Sequence, residues 1–299
     1  MNRDDGKFNR RDFIKGASLA ALGAAMGVSP IFADETETVT KSRVVLVRDK
    51  DVIRSDGSID GDIIRRMLDG AVMEMTEAKT AGAAWKMIIK PDDTVGIKTN
   101  VWGPLPTTSQ VENAIKSGVM RTGVPEDHIA IDDRGVLDND IFLKATALIN
   151  ARPLRAHHWS GVGGLLKNYI MFVPRPWEYH DDSCADLATL WRLPLVEGKT
   201  RLNVLVMLTP QFHCTGAHHF QKEHTWPYGG LLVGYDPVAL DAVGLRIFDA
   251  KRKQFFGKDS PLKPPAHHVA YAESRHHLGY ADMNKIDLVR LGWDEGTLI

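Results

Sequence analysis

The densest collection of metal-capable side chains in this 299-residue chain is the segment His213-Cys214-Thr215-Gly216-Ala217-His218-His219-Phe220-Gln221-Lys222-Glu223-His224. Imidazole, thiolate and carboxylate are the donors that borderline transition metals prefer. In a helix, His219 and Glu223 would share a face at i, i+4, as would His180 and Cys184 upstream. The expected metal shell is therefore His157, His180, His213, Cys214, His218 and His219, for zinc, iron, nickel or copper, which the sequence does not rank. The competing reading is a polar loop of satisfied histidines, or a disulfide that consumes Cys184 and Cys214. The chain has no HExxH, so zincin chemistry is not supported. It also has no GxSxG elbow, so a serine hydrolase is not supported either.

Two further segments carry anion chemistry. In Gly96-Ile97-Lys98-Thr99-Asn100, Lys98 and Asn100 share one strand face, because side chains alternate with period two. They sit near the strand's C-terminal end, where open α/β sheets place ligands, and a cation with an amide there would hold a carboxylate or phosphate. The alternative is a strand end that simply meets solvent. His157-His158-Trp159-Ser160-Gly161-Val162-Gly163-Gly164-Leu165-Leu166-Lys167-Asn168 is a basic glycine turn entering an apolar segment. Gly163 and Gly164 would let backbone N–H groups approach an anion, with Lys167 and Asn168 beside it. It is neither a Walker loop nor a dinucleotide fingerprint, since Leu166 stands where the last glycine would be. A plain tight turn is the alternative.

These segments need a scaffold, and the pattern predicts alternating strands and helices. Apolar strands are expected at Ser42–Arg48, Thr94–Asn100, His128–Asp132, Arg201–Thr209, Gly230–Tyr235 and Lys285–Leu291. One helix is expected from Asp60 to about Ala84, with Ile63, Ile64, Met67, Leu68, Ala71, Val72 and Met75 on one side. A second runs from an N-cap at Ser109, with Glu112 in the reciprocal position, to about Thr122. Asp236 caps a third, with Pro237 in its first turn, reaching about Ala250. Asp241 lies off the capping face and, if buried, needs a partner. The pairs His267-His268 and His276-His277 read as capping or following a helix, not as ligands. The expected fold is α/β: a mostly parallel open sheet with helices on both faces and an irregular His/Cys-containing insert from about His157 to Leu193.

At the N-terminus, Arg10-Arg11-Asp12-Phe13-Ile14-Lys15 precedes an uncharged, weakly apolar run from Gly16 to Ala33. This resembles a twin-arginine export signal, cleaved near residue 33, leaving residues 34–299 as a single domain soluble in the periplasm. The translocon of that route would then be a partner during export. The route carries proteins already folded, often around a cofactor. Charge is balanced, 37 basic against 38 acidic residues, so the footprint of a nucleic-acid binder is missing. Two cysteines and no CxxC argue against an iron–sulfur cluster or covalent haem.

Four stretches together resemble the proteins grouped as domain of unknown function 362, over about residues 43–279. They are Val95-Gly96-Ile97-Lys98-Thr99-Asn100; Gly123-Val124-Pro125-Glu126-Asp127-His128-Ile129; His157 ten residues before Lys167-Asn168; and Asp236-Pro237-Val238-Ala239-Leu240-Asp241-Ala242-Val243-Gly244. The resemblance implies an α/β fold of unsettled activity and carries Lys98, Asn100, His157, Lys167, Asn168, Asp236 and Asp241 over as site residues. Many relatives have attached ferredoxin-like domains, which implies redox surroundings. This chain departs in having Arg155 where relatives show lysine, and Met207-Leu208-Thr209 where they often show an aspartate. The expectation is an exported, redox-linked metalloenzyme acting on a small anionic substrate. Lys98, Lys167 and Asn168 would hold the anion, and Asp241 would orient a histidine or act as base. The alternatives are a non-catalytic binding or maturation factor for a periplasmic redox complex and, more weakly, a metal-free transferase using the glycine turn.

Overall fold

The computed structural model of the chain describes residues 41–214 and 220–299. The strands are β1 (Ser42–Arg48), β2 (Val95–Lys98), β3 (Ile129–Asp132), β4 (Ala147–His157), β5 (Gly161–Gly163), β6 (Thr200–Gln211), β7 (Gly230–Gly234) and β8 (Ile286–Gly292). They form one eight-stranded sheet in the order β3-β2-β4-β6-β7-β1-β8, with β5 folding back on β4. The pairs β2/β3, β2/β4, β4/β6 and β1/β8 are parallel, whereas β7 runs antiparallel to both β6 and β1. The fold is thus α/β with a mostly parallel open sheet.

The helices are α1 (Gly61–Thr76), α2 (Ala81–Ile88), α3 (Ser109–Met120), α4 (Asp140–Lys144), α5 (Leu165–Asn168), α6 (Asp181–Cys184), α7 (Pro237–Phe256) and α8 (His267–Ser274). One face of the sheet packs α1, α2 and α3 over Val45, Val47, Ile97, Ile149, Ala151, Val204, Val206, Leu231 and Val233. The other packs α4, α5, α7 and α8 and the 3-10 turns of residues 169–192 over Val44, Leu46, Leu148, Leu154, Leu205 and Leu232. Among the described residues, no helix is long and apolar enough to cross a membrane.

Several elements differ from the pattern-based expectation. The helix from Asp60 is broken: Glu77 ends α1 in a left-handed conformation (φ 56°), and the Thr80 hydroxyl caps α2 by accepting from Ala83 N–H. The N-cap of α3 is Thr108, without a side-chain cap, so the Ser109–Glu112 capping box does not form. The Asp236 cap of α7 is as expected, its carboxylate accepting from Val238 and Ala239, and the helix runs on to Phe256. After β5, the 157–193 insert is short helical turns, much of it buried, with the Tyr169 and Trp191 rings tilted against each other at 4.5 Å between centroids. Strand β4 has no counterpart in the expected strands, yet it is central, paired with both β2 and β6.

That strand defines the ligand geometry of the fold. From β2 the chain crosses by α3 to β3 on one side. From β4 it passes through α5 and the insert to β6 on the other. Neighbouring strands whose connections leave in opposite directions create a crevice at their carboxyl ends. Lys98 is the last residue of β2, and Arg152, Arg155 and His157 lie in the C-terminal half of β4.

Candidate functional site

At the floor of that crevice, the fully buried Lys98 donates from Nζ to the Thr99 carbonyl (2.8 Å), to the Asp133 carboxylate and to Asn168 Oδ1 (3.4 Å). Burial pushes its pKa down to about 8, opposed by Asp133 and reinforced by Arg152. Burial pushes Asp133 the other way, but the charge and hydrogen bond of Lys98 prevail and hold it below the ordinary carboxylate range. Asp133 Oδ2 also accepts from Val101 N–H at 2.9 Å. A chain of amides continues across the sheet. Asn168 Nδ2 donates to Asn150 Oδ1 (2.8 Å), Asn150 Nδ2 to Asn203 Oδ1 (3.1 Å), and Asn203 Nδ2 to the Tyr235 carbonyl (3.0 Å). Asn168 therefore ties α5 to β2 and β4. Asn100, two residues past β2, uses its Oδ1 to accept from Trp102 N–H in its own loop.

Above this floor stand three more cations. Arg152 is only 3% exposed, and its Nε has no hydrogen-bond partner among the described residues. Its charge is felt by Asp133 and Asp241, while burial lowers its proton affinity. Arg155 lies with its guanidinium 4.0 Å over the Trp102 ring; burial, and then Arg152, push it down to about 9. Lys167, on α5, is also 3% exposed and places Nζ 3.0 Å from His180 Nε2 and 3.5 Å from Cys184 Sγ. Burial pushes Lys167 down to about 8, with Cys184 opposing and Arg152 and Arg155 assisting. His180 Nδ1 faces the Trp177 carbonyl at 3.2 Å. A carbonyl only accepts, so Nδ1 carries the proton and Nε2 accepts from the Lys167 ammonium.

The glycine turn is arranged around protein side chains. Asp241, fully buried on α7, accepts from Leu165 N–H (2.8 Å) and Leu166 N–H (2.9 Å), so its carboxylate occupies the two backbone donors at the start of α5. Burial pushes Asp241 up to about 7 against the pull of those donors and of Arg152. Any Cβ on Gly164 would lie 2.2 Å from Asp241 Oδ1, and one on Gly163 would lie 2.9 Å from Arg152 Nη2. Both glycines are there because side chains from other elements must approach this backbone closely.

The expected metal donors divide between two places. His157 and His180 stack near Lys167, with ring centroids 6.3 Å apart. His157 Nδ1 accepts from Trp159 N–H at 3.3 Å, and burial together with Lys167, Arg155 and Arg152 holds the ring neutral. On its other side, His157 borders a cavity of about 530 Å³ that His213 and Cys214 also line, closed by Arg252 and the segment Lys258 to Lys263. His213 Nδ1 accepts from Arg252 Nη1 (3.2 Å), and burial, His224 and Arg252 lower its pKa. Cys184 and Cys214 are thiols, not a disulfide. His218, His219 and the twin-arginine segment lie outside the described residues. Among the described residues, no three His, Cys, Asp or Glu side chains are gathered closely enough to hold a metal ion, and the histidines of the crevice stand among cations. The four described members of the expected shell, His157, His180, His213 and Cys214, do not form such a group by themselves.

The structure thus brings together Lys98, Lys167, Asn168, His157 and His180, with Asp241, Gly163 and Gly164 supporting them from below. Pattern reasoning passed over Asp133 and Arg152, and it named Arg155 and His268 without giving either a place in the site. For Arg152 the only signal was its place four residues past Leu148, inside a run that Pro153 disguised. His268 is the second residue of α8, fully buried, with neither ring nitrogen partnered among the described residues.

Residues 123–246 match the sequence model of a family described as Domain of unknown function (DUF362), a narrower stretch than the resemblance over residues 43–279. The match takes in the turn before β3, all of β4, the glycine turn, α5 and Asp241. No curated protein and no solved structure matches the chain.

Proposed function

We propose, taking that family similarity as the premise, that this chain binds a small dianion at the carboxyl ends of β2 and β4, with Lys167 as the proton donor to the bound molecule. The observation that carries the reading is the charge balance of the crevice. Lys98, Arg152, Arg155 and Lys167 are all strongly desolvated, and Arg152 depresses the proton affinity of each of the other three. The carboxylates that reach them are Asp133, bound to Lys98, and Asp241, which already accepts from two backbone donors. Asp132 adds a weaker pull from further out. Holding an uncompensated cation away from water costs several kcal/mol, and an anion with two negative oxygens relieves that cost. The crevice is also where a sheet of this topology presents ligands.

Lys167 is the group placed to move a proton. Its ammonium donates to Nε2 of the neutral, half-buried His180, which orients it, and a proton passed to the ligand leaves the neutral amine to be recharged from solvent. Export by the twin-arginine route, and action in the periplasm, rest on Arg10-Arg11 and the run that follows.

Calorimetry and thermal melts with succinate and with inorganic phosphate test the reading. Either probe should raise the melting temperature as its concentration passes Kd, and Arg152→Gln should weaken binding at least about tenfold while the variant keeps its circular dichroism. Flat titrations with both probes, or an Arg152→Gln protein that binds as well as the parent, would overturn it.

A further inference from the structure

His268 is the group this reading leaves without a task. It sits in the first turn of α8, which packs on α7 and α6. Its position is fixed from the hairpin: Gly161 adopts φ +71°, and a Cβ there would lie 2.5 Å from the Pro264 carbonyl oxygen and 2.8 Å from Ala266 N. The β4–β5 turn is therefore pressed directly onto the chain entering α8. The imidazole is 0% exposed, and both Nδ1 and Nε2 lack hydrogen-bond partners among the described residues. Leaving a buried donor or acceptor unpaired costs about 1–3 kcal/mol per group, so such an imidazole calls for an occupant.

The chemistry of that occupant follows from the neighbours. Burial pushes His268 down to about 3, and Lys167 and Arg152 both add to the shift. The ring is therefore neutral, and its helix packs on α6, whose Cys184 Sγ lies 3.5 Å from Lys167 Nζ. A neutral imidazole offers one N–H donor and one lone pair. A carboxylate or fully ionised phosphate oxygen can satisfy only the donor, whereas a hydroxyl both donates and accepts.

We propose that His268 hydrogen-bonds a hydroxyl group of the bound anion, so that the ligand of this crevice is a small hydroxylated dianion. The inference rests on the anion-binding reading and adds the hydroxyl. It makes His268 a specificity-determining contact distinct from the charges that supply affinity. A dicarboxylate and a phosphate monoester share the required chemistry.

Two matched pairs, each differing by one hydroxyl or a hydroxylated chain, separate these sources: malate against succinate, and glycerol 1-phosphate against propyl phosphate. Calorimetry on the unaltered protein should show one hydroxylated compound binding at least about tenfold more tightly than its partner, since a site built to hydrogen-bond a hydroxyl rejects the analogue that lacks it. The pair that shows the gap identifies the anionic group. His268→Phe should erase the gap and leave the unhydroxylated compound bound within about twofold; His268→Gln, which keeps a donor and an acceptor, should restore part of it. Equal binding within both pairs on the unaltered protein would overturn the hydroxyl contact and leave the anion site standing, with ordered water as the partner of His268. A gap that survives His268→Phe would overturn it as well. No binding of any of the four would remove both readings.

Discussion

The two faces of the sheet are made by alternate residues of the same strands, yet they are built on different terms. On the face covered by α1–α3, the inward residues of β2, β4 and β6 are Ile97, Ile149, Ala151, Val204 and Val206, without a polar side chain among them. One residue away in register, the opposite face presents Lys98, Asn150, Arg152 and Asn203, all buried. The first face is covered by α1, α2 and α3 alone, whereas the second combines α7 and α8 with the four-residue helices and 3-10 turns that lie between β5 and β6. Apolar burial specifies the first face and stabilises it. The second tolerates desolvated cations and an amide chain whose members must satisfy one another, an arrangement that costs stability and is retained where it serves a ligand.

The largest expected effect lies on the quiet face. Trp85 is fully buried between α1 and α3. It donates from Nε1 to Asp69 Oδ1 at 2.9 Å, and it lies so close to Gly118 that a Cβ there would come within 2.2 Å of its ring. Asp69 in turn accepts from Arg121, so one indole links three helices. Trp85→Ala should cost about 3–5 kcal/mol in urea unfolding. It should leave succinate or phosphate affinity unchanged in the folded fraction. A matching loss of affinity would show that the two faces are one cooperative unit and would break the contrast drawn above.

This contrast also explains what could be read in the chain. Strands β1, β2, β3, β6, β7 and β8 are short apolar runs bounded by turn residues, and their pattern is enough to find them. Strand β4 reads Ala-Leu-Ile-Asn-Ala-Arg-Pro-Leu-Arg-Ala-His, and its Asn150, Arg152, Pro153 and Arg155 look like a loop. The side chains that hide the strand are the ones that make the crevice, which is why the fold was legible and its central charge was not. His268 was hidden differently: adjacent histidines at a helix start resemble a polar surface, and only the packing of α8 on the hairpin buries one of them. Lys98, Lys167 and Asp241 were legible as candidates, but Asp241's partners, two N–H groups about 75 residues away, come from tertiary structure alone.

A smaller effect is expected where the crevice meets its support. Gly164→Ala would drive a methyl group to within 2.2 Å of Asp241 Oδ1, displacing the carboxylate from Leu165 and Leu166 N–H. One or two buried groups would lose partners, so the stability loss should be about 2–3 kcal/mol. Because Lys167 and Asn168 ride on the same turn, anion affinity should fall as well. A variant that loses stability but binds the probes normally would show that α5 is a packing element only. The pairing of effects is the informative part, since Trp85→Ala is expected to separate stability from binding and Gly164→Ala to join them.

The smallest effect is one of pH, and it follows from the same charges. Lys98, at about 8, lies below its ordinary value, with Asp133, Arg152, Asp132 and Asn168 around it. A lysine whose folded value is depressed contributes stability above its unfolded value, near 10.5, and that contribution is lost as pH falls through about 8. Below pH 8 the free protein therefore holds this cation charged at a cost, and above pH 8 it sheds the proton and part of the strain. The ligand works in the opposite sense, because an anion stabilises the protonated amine. Affinity for succinate or phosphate should be steady in the ammonium form and then fall by up to about tenfold per pH unit for one released proton. Lys167, also at about 8, would steepen the fall if it contacts the same anion. Asp241, raised to about 7, has largely ionised before this window opens. The melting temperature of the free protein should thus gain a stabilising contribution between pH 8 and 10 while the shift produced by the anion shrinks. Calorimetric titration in buffers of different ionisation enthalpy would count the protons taken up near pH 8.5. Finding none would place the buried lysines outside the anion's reach and leave Arg152 and Arg155 to hold it.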